Sequence, residues 1–209
     1  IMEKTNIELL QEYAKSSKRE ITIKETAYPK PKGIRNIIKY KRTAYTPLNK
    51  AEQSFLLWFY DYHTPTVELA TYCGTFIPIS ISKEVQIHIR SKTILHKLQL
   101  FGRSKYLKTG SKSFDSKVLI TTNHSQEAKK LLSKNKIQKA ILKALSLDPA
   151  ICVSINEKDI DFVPQLINKS YISILRPGFW YVEKKQIASL IRVSESLENY
   201  LFATSSKNS

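Results

Sequence analysis

Apolar residues occupy alternate positions through Ile77, Ile79 and Ile81 and again through Val85, Ile87 and Ile89, with an interruption around Ser82-Lys83-Glu84. A period of two sends successive side chains to opposite faces of a strand, so this stretch predicts antiparallel strands with one buried and one open face. The run from Val67 through Tyr72 meets Gly74, which reads as a break. Glu20-Ile-Thr-Ile-Lys24 alternates as well, Pro29 and Pro31 turn the chain near Gly33, and Ile34 to Tyr40 is again extended in character. Together these predict either an edge hairpin or a loosely held arm. Further on, Phe114 to Thr122 predicts a strand built on Val118, Leu119 and Ile120. Ile151–Ile155 and Ile160–Val163 predict a hairpin across residues 156–159.

Other segments follow the helical period. Ile7, Leu10 and Tyr13 lie behind Thr5 or Asn6 as a cap, with Glu8 in the first turn. Ala51, Phe55, Trp58, Phe59 and Tyr62 fit a helix, the preferred reading, although such aromatics also fit a buried strand. Ser125 and Asn135 are expected to cap two consecutive helices, the first carrying Ala128, Leu131 and Leu132. The second carries Ile137, Ala140, Ile141, Ala144 and Leu145 and stops at Asp148-Pro149. After a turn at Pro177-Gly178, a closing helix from about Glu183 carries Ile187, Leu190, Ile191, Leu197 and Leu201 on one face. Strands and helices without regular βαβ alternation predict an α+β fold: an antiparallel sheet with helices packed on one face around a single core. The expected organisation is a basic N-terminal helix and extended arm over residues 1–48, a core domain over 49–203 and a disordered Ser-rich tail over 204–209.

Composition narrows the classes. A chain of 209 residues that is 42% hydrophobic and 25% charged can bury a core without staples. Its best apolar run, Phe55 to Tyr60, falls far short of the roughly 18 residues of a membrane helix, and the first residues show no basic-then-apolar leader. Cys73 and Cys152, in no metal-binding spacing, read as two reduced core thiols. The net charge of +16 is uneven: +7 over residues 1–50, 0 over 51–100, +8 over 101–150 and +1 over 151–209. Such a field attracts polyanions, either nucleic acid or an anionic membrane surface.

Specific chemistry is harder to find. The five glycines form neither GxGxxG nor GxxxxGK[ST], so no nucleotide or other small-molecule cofactor is expected. His63, His88, His96 and His124 are nowhere three or four residues apart, and none sits beside a cysteine in sequence. His88 falls on the strand face opposite Ile87 and Ile89 and reads as an exposed strand position. A metal-dependent nuclease would need converging carboxylates beside a lysine, for which Asp61, Glu68 and Lys83 are candidates. Asp159 and Asp161 are expected on one polar face of a strand. No catalytic or metal-ligating set emerges.

The segments that do suggest binding interleave basic and aromatic residues: Lys30, Lys32 and Arg35 after Tyr28, then Lys39, Tyr40, Lys41 and Arg42 with Tyr45, then Arg103, Lys105, Tyr106 and Lys108. The last group lies in a Gly- and Ser-containing stretch, 101–113, that reads as a mobile basic loop. Lysine and arginine neutralise phosphates while tyrosine can stack on bases, the combination a single-strand binder uses.

The order of elements from Gly74 onward resembles the soluble region of an uncharacterised family of bacterial membrane-tethered proteins. The resembling stretches are Ile77 to Arg90, Phe114-Asp-Ser-Lys-Val-Leu-Ile120, His124-Ser-Gln-Glu-Ala-Lys-Lys-Leu-Leu132, Ile151 to Val163 and the closing amphipathic helix. The resemblance implies membrane association without any assigned activity or active-site residue. The resulting expectation is a non-catalytic α+β interaction module, in the cytoplasm or at the cytoplasmic face of a membrane, whose basic faces contact an anionic partner. A nucleic-acid-binding protein is the second expectation and a metal-dependent nuclease the third.

Overall fold

The computed structural model describes residues 5–29, 39–49, 51, 53–64, 70–92 and 106–202. Lys30, Lys32, Arg35, Glu68, His96, Arg103, Lys105 and the tail 204–209 lie outside them.

The chain begins with helix α1 (Asn6–Ser17), whose first turn is closed by reciprocal hydrogen bonding between Thr5 and Glu8. Strands β1 (Thr22–Ala27), β2 (Tyr40–Pro47), β3 (Phe55–Asp61), β4 (Thr71–Pro78) and β5 (Ile87–Ser91) follow. Then come a short helix α2 (Lys112–Asp115), β6 (Val118–Thr122), α3 (Ser125–Leu132), α4 (Asn135–Leu145) and β7 (Cys152–Ile155). A 3₁₀ turn at Pro164–Leu166, β8 (Tyr171–Pro177) and the long α5 (Lys184–Phe202) complete it. All eight strands join one sheet in the order β1-β2-β3-β4-β8-β7-β5-β6, and every neighbouring pair is antiparallel. The protein is therefore α+β with a single core, and one sheet holds strands from both sides of the expected boundary at residue 48, because β2 pairs with β3 from Lys41 to Pro47.

Register fixes which side chains share a face. Ala44, Trp58 and Cys73 stand in one row, and with Leu56, Ile77, Ile87, Ile89, Ile120, Val153, Ile172 and Ile174 they face the helices. Leu10 and Tyr13 of α1, Ile137 and Ile141 of α4, and Ile187, Leu190 and Leu197 of α5 cover them. The opposite face carries Phe55, Leu57, Tyr72, Phe76, Cys152 and Leu175, covered by Ile160, Val163 and Leu166 from the connection between β7 and β8. At its margins this second face is open.

Several sequence expectations change. The Asn49–His63 stretch, preferred as a helix, contains β3. Phe55, Leu56, Leu57 and Trp58 are all buried because the sheet is covered on both faces there, which erases the period-two signal. Gly74 does not break the chain but lies inside β4, where a Cβ would press against the carbonyl oxygen of Ile174 on β8. Ile160–Val163 is no strand: β7 pairs with β8, and the intervening segment lies across the open face instead. Asp159 and Asp161 accordingly sit on no strand face. Ile79 and Ile81 continue the alternation past the end of β4 while only half-buried. Phe114 belongs to α2, and Ser125 and Asn135 are the first helical residues rather than caps. The strand that pairs with β1 in the N-terminal hairpin is Tyr40–Pro47, while residues 34–38 of the expected Ile34–Tyr40 stretch lie outside the described residues.

The supposed basic loop is held over its described part. Leu107 N–H donates to Ile120 O at 2.9 Å, and the Asp115 carboxylate accepts from the backbone of Thr109 and Gly110 at 3.0 to 3.1 Å.

Candidate functional site

Among the basic residues singled out from sequence, those on and beside β2 are internally engaged. Arg42 pairs with Glu25 across the β1–β2 ladder and lies over the Tyr40 ring at 4.5 Å. Lys39 lies over the Tyr62 ring at 4.4 Å. Lys41 approaches Asp161 at 4.0 Å and the Phe59 ring at 5.6 Å. Tyr40 thus already has a cation on one face, which takes that face from base stacking. Tyr106 is half-buried and Lys108 exposed on the strand-like lead into α2, away from β2 at the other edge of the sheet.

A denser cationic surface lies elsewhere. Residues 116–147 hold seven lysines and a single acid, Glu127. Lys129 and Lys130 on α3, Lys134 between the helices, and Lys136, Lys139 and Lys143 on α4 are all exposed. On α4 the three lysines fall at i, i+3 and i+7, one stripe along the helix, while Ile137, Ile141 and Ala144 are buried against the sheet. The amphipathic pattern that seats α4 on the core thereby aims its lysines outward.

Beside this stripe, a groove of about 790 Å³ runs between α3, the end of α5 and the segment after β4. Pro78, Ile79, Ile81, Leu131, Leu201 and the 42% exposed Phe202 give it an apolar floor. Lys130, Lys134 and Lys169 rim it, together with Glu127. The sequence carried the signal in its lysine count, but only the fold shows that Lys130 and Lys134 stand next to the half-buried Ile79, Ile81 and Leu131 and the exposed Phe202.

A different set of groups meets on the open face of the sheet. His88 of β5 is opposite Ser154 of β7, and Arg90 is opposite Cys152, so alternate residues of two paired strands share that face. Glu157, two residues past β7, reaches back to put its Oε2 2.9 Å from His88 Nδ1. One donor atom each from His88, Cys152 and Glu157 lies within 4.8 Å of the others. Partial burial pushes the Glu157 carboxyl up, but the hydrogen bond and charge of His88 and a bond from Ser154 outweigh this and hold it below its usual range. Burial pushes the Cys152 thiol up to about 12. The cluster opens into a groove of about 510 Å³ whose walls include Arg90, Lys158 and Arg176. No local spacing could reveal it, because His88 lies 64 and 69 positions from Cys152 and Glu157 in the chain.

Of the nuclease candidates, Glu68 lies outside the described residues, and Asp61 and Lys83 are not brought together. Asp61 accepts hydrogen bonds from Tyr28 Oη at 2.8 Å and from the His63 N–H at 3.0 Å. Lys83 follows the far end of β4 and donates to Asn168 at 3.4 Å, at the opposite end of the sheet. No helix among the described residues is long and apolar enough to cross a membrane. Comparison of the chain with protein-family models, with curated proteins and with solved structures gives no match.

Proposed function

We propose that this chain is a non-catalytic α+β interaction module that rests on an anionic membrane surface through the lysine face of α3 and α4. The observation that carries this reading is the stripe Lys136, Lys139 and Lys143, continued by Lys130 and Lys134 along a groove floored by Ile79, Ile81, Leu131 and the exposed Phe202. Compact, strongly hydrated ammonium groups suit diffuse attraction to a charged leaflet, and apolar side chains beside them suit the headgroup boundary. Nucleic acid is the weaker alternative, since the aromatic and guanidinium groups of β2 are engaged with one another.

The test is co-sedimentation of the full chain with vesicles of phosphatidylglycerol and phosphatidylcholine, and of phosphatidylcholine alone, across a salt series, with labelled single-stranded and duplex DNA in parallel. Binding confined to the anionic vesicles and falling with salt is expected. Each lysine near such a surface contributes about 1 kcal/mol, so Lys136→Ala, Lys139→Ala and Lys143→Ala together should weaken binding roughly a hundredfold. Equal binding to both vesicle types, or salt-steep binding to DNA without vesicle binding, would overturn the proposal.

A further inference from the structure

The three donors on the open face of the sheet are independent of the lysine surface, and packing of the core accounts for only one of them. Cys152 helps fill the second-face cluster, but His88 and Glu157 stand at its margin, and the sequence places an imidazole and a carboxylate against a buried thiol. We propose that His88, Cys152 and Glu157 bind one divalent cation of the zinc class, with its remaining position open to the adjoining groove.

The donor chemistry selects the cation. Thiolate and imidazole favour a borderline ion over magnesium or calcium, which take oxygen ligands. A zinc-class ion sits about 2.0–2.3 Å from nitrogen, oxygen and sulfur donors, which brings tetrahedral neighbours to roughly 3.5 Å apart. Donor atoms that already lie within 4.8 Å need only small side-chain rotations to reach that arrangement. His88 and Glu157 have room for them, being half-exposed or exposed, while the paired strands β5 and β7 fix the backbone beneath. Coordination would replace the thiol proton of Cys152, released to solvent, and would exchange the His88–Glu157 hydrogen bond for two metal bonds. Arg90, Lys158 and Arg176 on the groove walls oppose a bare cation but suit an anionic fourth ligand, and the two anionic donors offset the ion's own charge.

Cobalt(II) serves as a spectroscopic stand-in for zinc in a titration of the full chain, with calorimetry for zinc itself. One equivalent should bind and produce a sulfur-to-cobalt charge-transfer band in the near ultraviolet, with intense visible bands of tetrahedral cobalt. Cys152→Ser should abolish the charge-transfer band, Cys73→Ser should leave it intact, and His88→Asn and Glu157→Gln should each weaken binding at least about tenfold. Absence of the band, or its persistence in Cys152→Ser, would overturn the site. Should circular dichroism show that Cys152→Ser does not fold, the two variants at exposed or half-exposed positions decide: unchanged affinity in both rejects the proposal.

Discussion

At Gly74 the absence of a side chain is a packing requirement, because an added Cβ would meet the carbonyl of Ile174 and lie 2.8 Å from Leu175 Cδ2. Gly74→Ala should therefore lower the unfolding free energy by about 1–3 kcal/mol in a urea titration, the usual cost of overpacking. Asp148 is a second single-residue case. It accepts from Arg176 Nε at 2.9 Å, Tyr181 Oη at 3.0 Å and Ala150 N–H at 2.8 Å, and it ties the end of β8 to the loop before β7. Its partial burial pushes the carboxyl up, but the Ala150, Arg176 and Tyr181 hydrogen bonds prevail and hold it below its ordinary value. A depressed folded-state value means that its contribution is complete above the unfolded carboxylate range and is lost as pH falls through the folded value. Asp148→Asn should cost about 1–3 kcal/mol near neutrality, and the gap to wild type should close below roughly pH 4 in denaturant titrations. Neither role is legible locally: Gly74 reads as a break, and Asp148 reads as the stop of α4.

At the scale of elements, the connection from β7 to β8 does more than link strands. Ile160, Val163 and Leu166 roof the second face, and Trp58 and Trp180 clamp the approach to α5 by donating to Tyr181 O and Phe59 O, each at 2.8 Å. Ile160→Ala should cost about 2–5 kcal/mol by thermal or urea unfolding, as for a buried aliphatic truncation, although the sequence predicts a hairpin strand there rather than a cover over the sheet. The opposite expectation holds for the exposed Lys139 and Lys143 of α4, whereas Lys136 lies over the Tyr200 ring at 5.9 Å. Lys139→Ala and Lys143→Ala should each change stability by no more than about 0.5 kcal/mol, so any lost vesicle binding in these variants reports the surface rather than the fold. Helices α1, α4 and α5 were readable because each buries one stripe and exposes the rest, whereas β3 was not, since a strand covered on both faces loses its alternation.

Across the whole molecule, the chain carries a net charge of +16, and folding of its described residues around a single core brings like charges nearer one another. Screening should relieve part of that repulsion, so melting followed by circular dichroism should shift upward between low and moderate sodium chloride. A relief of about 1 kcal/mol corresponds to roughly 2–4 °C for a chain of this size. A fall in melting temperature over that salt range would show that attractive ion pairs, such as Arg42–Glu25 and Arg176–Asp148, outweigh the repulsion.

The sequence by itself determined the α+β class, the capped first helix, the amphipathic α4 and α5, and the outward position of His88. Each of these is a local consequence of periodicity or of a side chain's reach to its own backbone. Only the tertiary structure decided that both cysteines lie buried beneath opposite faces of one sheet, that the cations of β2 are engaged by their own aromatic and acidic neighbours, that Lys130 and Lys134 border an apolar groove, and that His88 meets Cys152 and Glu157. These depend on strand order and register, which follow from the total apolar surface that can be buried at once, and no window of the chain contains that sum.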